Sequence, residues 1–404
     1  MKKRGGKRSD RRRGIVLALP LVLVASQTVS SASSYAYGVR VPSGYRVTAR
    51  HHPGSGVWHL ELTRRGHQVV NVARIERGST HKLRILLSNG RVSGPAPRTE
   101  RTSTMCNRVR CLLAVNGSFF TTAGAPVGGL IGDGRPLSSP VDARSNFSVA
   151  GDGTLRLGRL LMTTSLTTFY PRVPTGLLRR TAPPEERAIS VNGVNVRREA
   201  DRMVLYTPQF GPTTETRGGT EITARVVSPS GPLRTGVATV LELASARSGG
   251  SRIPGNSVVL SGSGKSASTL SALWNDVKAG RAESRATVTV ALSPGVAQSV
   301  AGKPVLIRDG ERATRTRSRA DARTIVGWNE RGDVLLVTVD GGGPDRAGLS
   351  VIDAANLMRS LGAVEALNLD GGGSTTFVLN GRVVNRPSTS SHRERGVAVA
   401  VAIL

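Results

Sequence analysis

One stretch near the C-terminus limits what this chain can fold into more than any other. An apolar run, Ala363 to Leu369, feeds directly into Asp370. Gly371, Gly372 and Gly373 follow, then Ser374, Thr375 and Thr376, a second apolar run from Phe377 to Leu379, and Asn380-Gly381. Short apolar runs bounded by turn residues predict β-strands, and Asn-Gly is a strong hairpin signal. A carboxylate therefore leaves a sheet where side chains cover the backbone least. Consecutive glycines let main-chain N–H groups approach a ligand, an arrangement that suits anionic oxygens. The three hydroxyls add neutral donors beside them. The same residues also read as a glycine-rich turn between strands.

The preceding residues predict how that strand is reached. Asp333 to Val339 is strand-like and closes on Asp340-Gly341-Gly342-Gly343-Pro344. Apolar residues at 349, 352, 355, 358 and 361 form a helical stripe, and Gly362 is a natural terminator. Strand, helix and strand over this length imply two parallel strands. Asp340 and Asp370 would then leave the carboxyl ends of strands at one sheet edge. As direct neighbours they would lie roughly 5–10 Å apart, the separation that glycoside chemistry uses for paired carboxylates. Asp340 also reads as an ordinary Asp-Gly turn residue. A similar design recurs at Leu112 to Phe120: an apolar strand, a polar tip at Asn116, then Gly117, Ser118, Phe119 and Phe120.

The rest of the chain reads as strands and turns, with signals at Met203–Tyr206, Val258–Leu260, Ala286–Leu292 and Val305–Ile307. Forty-eight glycines and 3% aromatics suit that architecture better than a helical bundle. The predicted fold class is α/β, mixed and β-rich, with few helices: a β lead-in over residues 37–70 and one mixed-sheet domain over 71–404. Gly262-Ser263-Gly264-Lys265-Ser266 looks like a phosphate loop, but the first glycine of that motif would fall at Val259. It reads as a surface turn. The basic run Arg312 to Arg323 reads as a solvated loop.

Residues 1–36 read as a bacterial signal peptide: eight Lys and Arg, then the apolar Gly14 to Ala25 and small residues allowing cleavage after Ala32, Ser34 or Ala36. Twelve apolar residues interrupted by Pro20 are too short to span a bilayer, and no later stretch predicts a transmembrane segment. The expected location is secreted, extracellular or associated with the cell envelope, by the general or the twin-arginine route. The net charge is +29; without residues 1–36, which hold eight of 56 basic and one of 27 acidic residues, it is +22. Such a surface attracts phosphate polymers, anionic glycans or anionic lipids. The arginines are dispersed without an aromatic-studded patch, so no specific nucleic-acid binding is indicated. In an exported chain Cys106 and Cys111 suggest a local disulfide, with free thiols as the alternative. The six histidines form no metal-ligand pattern, and neither metal nor other cofactor is expected.

Asn368 to Thr376, Asn380-Gly381, and Glu394-Arg395 before a terminal strand together resemble the phosphodiester glycosidase family. The resemblance extends to Ala114–Phe120, Ala322–Gly327 and Thr338–Gly341, and covers roughly residues 71–404, with 322–404 the best-matched part. It departs at Ser118, where many bacterial members carry Asp. The resemblance implies an enzyme of the glycoside hydrolase type, cleaving the glycosidic C1–O bond of a sugar-1-phosphodiester to give free sugar and a phosphomonoester. On this reading Asp370 or Glu394 acts on the anomeric carbon or on water, and Asp340 orients a sugar hydroxyl or shapes its turn. Arg323 and Arg395 clamp phosphate. Asn116, Gly117, Thr324, Gly371, Gly372, Gly373, Ser374 and Thr375 line the pocket. The alternative is a non-catalytic cell-envelope protein that binds phosphate-bearing anionic glycans.

Overall fold

The sheet that carries Asp340 and Asp370 is assembled from both ends of the chain. Its strands, in spatial order, are Glu311–Arg312, Val305–Arg308, Ala363–Asn368, Arg323–Asn329, Val334–Val339, Gln68–Ile75, Val57–Arg64 and Tyr45–Gly54. The computed structural model describes residues 35–64, 68–140, 143–172, 183–292, 295–343 and 346–404. The signal-peptide reading falls outside them, apart from Tyr35 and Ala36, which pair with Val39–Arg40. Strands of the β lead-in belong to the same sheet as the C-terminal strands.

Side-chain alternation gives this sheet two covered faces. Val326, Leu336 and Leu367 pack inward against Phe377, Val399 and Val401 of a second, five-stranded sheet. That sheet runs in the order Arg382–Val383, Phe377–Leu379, Leu113–Asn116, Val399–Ile403, Leu83–Leu87. Ile325, Val337 and Ala366 pack outward against Ala354, Ala355 and Met358. Those three belong to helix α3, Val351–Ser360. Each buried Val, Leu, Ile, Phe or Met among them contributes about 1.5–3 kcal/mol. Helix α1, Thr102–Val109, covers the far side of the second sheet, where Cys106 and Cys111 join Ala114, Val378 and Ala402. The two cysteines are disulfide-bonded.

The predicted stripe is α3, opened by Ser350, whose side chain accepts from Asp353 N at 3.1 Å. Asn380 and Gly381 both take positive φ, 49° and 76°, as a type I′ hairpin turn requires. Val334–Val339 and Ala363–Asn368 do run in the same direction. They are not neighbours, because Arg323–Asn329 pairs antiparallel with both and lies between them. Two strand spacings, about 9–10 Å, therefore separate the two exits.

Two further sheets complete the described residues. One has five strands and the other eight, and the latter carries helix α2, Gly264–Lys278, on a core that includes Leu270 and Leu273. The surface-turn reading of Gly262 to Ser266 is corrected here. Gly262 ends a strand, Ser263 is the residue before the helix, and Asp201 Oδ1 accepts from Lys265 N at 2.8 Å. The serine-rich start hid the helix, whose apolar stripe begins only at Leu270. The architecture is β-rich with three α-helices among the described residues, and its mixed character comes from one short parallel pair, Gly193–Val194 with Met203–Tyr206.

Candidate active site

Asn116 is the residue around which the Asp370 turn is built. It ends the Leu113–Asn116 strand and is fully buried. Its Nδ2 donates to the Asp370 carbonyl at 2.7 Å, and its Oδ1 accepts from the Thr324 hydroxyl at 2.6 Å and Thr376 N at 3.2 Å. Asp370 N donates to the Gly117 carbonyl at 3.1 Å. A Cβ on Gly117 would sit 2.7 Å from Val399 Cγ1, so glycine is required for the strands to meet. Asn116, Gly117 and Thr324 thus hold the turn from beneath.

The glycines are used differently from the ligand-facing nest expected of them. Gly371 N donates to Asp370 Oδ1 at 3.1 Å, and Gly372 N to the Ala322 carbonyl at 2.9 Å. Ser374 N and Thr375 N donate to the Gly371 and Gly372 carbonyls. A Cβ on Gly371 would lie 2.7 Å from the Ala322 carbonyl oxygen. These residues let backbones approach closely, and their donors are committed inside the protein. Gly373 faces outward, next to Thr389 and Arg395.

Asp370 sits above this support. The Arg395 guanidinium donates to the Ser374 hydroxyl from Nε at 2.9 Å, and its Nη2 lies 3.8 Å from Asp370 Oδ2. Burial pushes the Asp370 carboxyl above its ordinary pKa; a Ser374 hydrogen bond, the Arg395 charge, the Gly371 N–H and the Arg144 charge oppose the rise. Arg395 lies over the Phe120 ring at 5.4 Å, and Arg144 over Phe119 at 4.9 Å.

Asp340 is more deeply held. Its Oδ1 accepts from Asn385 Nδ2 at 3.2 Å; its Oδ2 accepts from Arg386 N at 3.1 Å and pairs with Arg346. Burial raises its pKa, against the Arg386 N–H, the Arg346 charge and Asn385. Asn385 also donates to the Thr375 carbonyl at 3.1 Å and accepts from Phe377 N at 2.7 Å, so it ties the two acid-bearing turns together. Asp340 is 0% exposed and Asp370 9%, which leaves Asp370 as the carboxylate that can meet a ligand.

Two expected residues point elsewhere. Arg323 lies on the sheet face opposite Thr324, because neighbours in a strand alternate. Its guanidinium donates to the Leu349 carbonyl at 2.9 Å and to Ser318 Oγ and the Arg319 carbonyl at 3.0 Å each. It anchors the basic loop at the start of α3 and takes no part in the Asp370 cluster. Glu394, in the loop before the last strand, is turned to a different partner from Arg395. Its carboxylate accepts from Ser103 N at 3.2 Å and from the Ser103 hydroxyl, at the start of α1. A negative charge there stabilises the helix N-terminus. Arg144, Arg346 and Asn385 escaped the sequence reading. Each comes from a segment whose local pattern is an ordinary loop, and only the fold brings it to the turns.

Residues 237–404 match the phosphodiester glycosidase family. The chain carries a phosphodiester glycosidase family domain. The matched span contains Asp340, Asp370 and Arg395, and the fold adds Asn116, Phe119, Phe120 and Arg144 from outside it. The chain is similar to the N-acetylglucosamine-1-phosphodiester alpha-N-acetylglucosaminidase of Mus musculus, 46% identical over 67 residues. That stretch is 17% of this chain and 13% of the mouse protein. Likeness of fold extends further. A hypothetical protein from Synechocystis has a TM-score of 0.65 at 19% identity, covering 90% of this chain and 69% of that one. A Burkholderia pseudomallei K96243 protein described as exported has a TM-score of 0.59 at 23% identity, covering 86% and 74%. Beyond the matched span, the phosphodiester glycosidase domain thus shares its sheet with strands from residues 45–75.

Proposed function

We propose that this protein is an exported hydrolase that cleaves the C1–O bond of a sugar-1-phosphodiester. The observation that carries the reading is the pairing, within the family-matched span, of the accessible carboxylate Asp370 with the Arg395 guanidinium. The water oxygen bonds to C1 as the C1–O bond breaks. The bond's electron pair stays on the bridging oxygen, which departs with the phosphomonoester. The proton lost by water passes to Asp370. A phosphate leaving group needs little protonation but gains charge as it departs, and a guanidinium answers that need. An oxocarbenium-like transition state needs an anion close by, which Asp370 supplies. Asp340, Asn385 and Asn116 position the turns, and Glu394 positions Arg395 by fixing the neighbouring residue to α1. The disulfide suits an extracytoplasmic setting.

Hydrolysis in ¹⁸O-labelled water tests the bond cleaved. The reading requires the label in the released sugar. Label in the phosphate would mean P–O cleavage and would overturn it.

A further inference from the structure

The consecutive rings of Phe119 and Phe120 each carry a guanidinium, and the two arginines come from distant parts of the chain. Arg144 lies 4.9 Å from the Phe119 centroid and Arg395 5.4 Å from that of Phe120. Both distances fall within the range of cation–π attraction. The backbone that carries the rings is fixed in place. Phe120 pairs with Pro126, Val127 N donates to the Phe119 carbonyl at 2.8 Å, and Asp370 N reaches back to Gly117 just before them. Arg144 is positioned from its own side. Ser145 opens a strand paired to Gly302, Lys303 N donates to the Asn368 carbonyl at 2.8 Å, and the Arg144 chain runs past Gly128. A Cβ at Gly128 would lie 3.4 Å from Arg144 Cδ. Arg144 also acts on Asp370 electrostatically, as Arg395 does.

We infer that Arg144 and Arg395, each held by its phenylalanine, form a two-arginine cradle beside Asp370 that takes the phosphate of the substrate. The placement within catalysis rests on the hydrolase reading above; the anion site itself does not. Two guanidinium charges suit an oxyanion whose negative charge is spread over several oxygens. A phosphodiester carries one negative charge and the departing phosphomonoester approaches two. The second guanidinium therefore gains most as the C1–O bond breaks, and Arg144 acts more on kcat than on KM.

The test has an equilibrium arm and a kinetic arm. Calorimetry with inorganic phosphate and with methyl phosphate compares wild-type protein, Arg144→Gln, Arg395→Gln and Arg144→Lys. Each Gln variant is expected to bind about tenfold more weakly, with Arg144→Lys intermediate because charge remains but the fork is lost. Wild-type protein that binds neither probe, or Arg144→Gln binding within about twofold of wild type, overturns the cradle. Should Arg144→Gln fail to fold, Arg144→Lys decides: affinity equal to wild type overturns the proposal. In the kinetic arm, Arg144→Gln is expected to lower kcat on a sugar-1-phosphodiester about 10²-fold and to change KM by much less. A change in KM with kcat unaltered overturns the charge-following role. Phosphate binding that depends on both arginines, without turnover of any phosphodiester, would retain the cradle and remove the hydrolase reading.

Discussion

Asp370 is exposed enough to meet a ligand and buried enough for its charge to matter. Burial raises its pKa, and Arg395 opposes the rise. If the ionised carboxylate does the work, activity falls as pH drops through this raised value. Arg395→Gln removes an opposing positive charge, so the acid limb of kcat/KM should move to higher pH. A pH–rate profile checks this; an unmoved limb, or one shifted to lower pH, contradicts the assignment. Asn116 makes a different prediction. Asn116→Ala would leave the Asp370 carbonyl, the Thr324 hydroxyl and Thr376 N without their partner. Buried groups left unpaired in this way should cost about 2–4 kcal/mol of stability, measurable by denaturant unfolding.

Elements explain why some side chains were legible in the sequence and others were not. The strand into Asp370, the Asn380-Gly381 turn and α3 could be read because local pattern and tertiary packing agree there. Arg323 and Glu394 were placed correctly along the chain but on the wrong side of it. Arg323 and Thr324 point oppositely because they are neighbours in a strand, Glu394 and Arg395 take different partners in a loop, and no local feature tells which one faces the site. The glycines after Asp370 were legible as a special backbone, yet their use, close approach to Ala322, depends on a strand nearly fifty residues away in sequence. Glu394→Gln tests the assignment of that residue to α1. Loss of the charge at Ser103 should lower stability by about 1 kcal/mol and reduce turnover far less than loss of Asp370. A loss as large as that of Asp370→Asn would return Glu394 to the chemistry.

For the molecule as a whole, the site depends on two sheets staying in register across their shared core. His59 is one buried link between them, 4.9 Å from the Phe377 ring and held between His51 Nδ1 at 3.1 Å and Asn71 Oδ1 at 3.0 Å. Burial lowers its pKa to about 4, a fall that the Asn71 hydrogen bond opposes. The unfolded chain takes up a proton near pH 6.5 and the folded chain does not. Stability is therefore full above that pH and declines as pH falls toward about 4. The loss amounts to about 3 kcal/mol at most. Unfolding midpoints at acid and neutral pH should converge in His59→Gln; an unchanged pH dependence would remove His59 as its source.

The most direct measurement is release of free sugar from a panel of sugar-1-phosphodiesters by the protein and by Asp370→Asn, with folding of both verified by their melting curves. The account predicts turnover by the unaltered protein and a loss of at least about 10³-fold in the folded variant. A folded Asp370→Asn protein that hydrolyses these substrates at the original rate would contradict it.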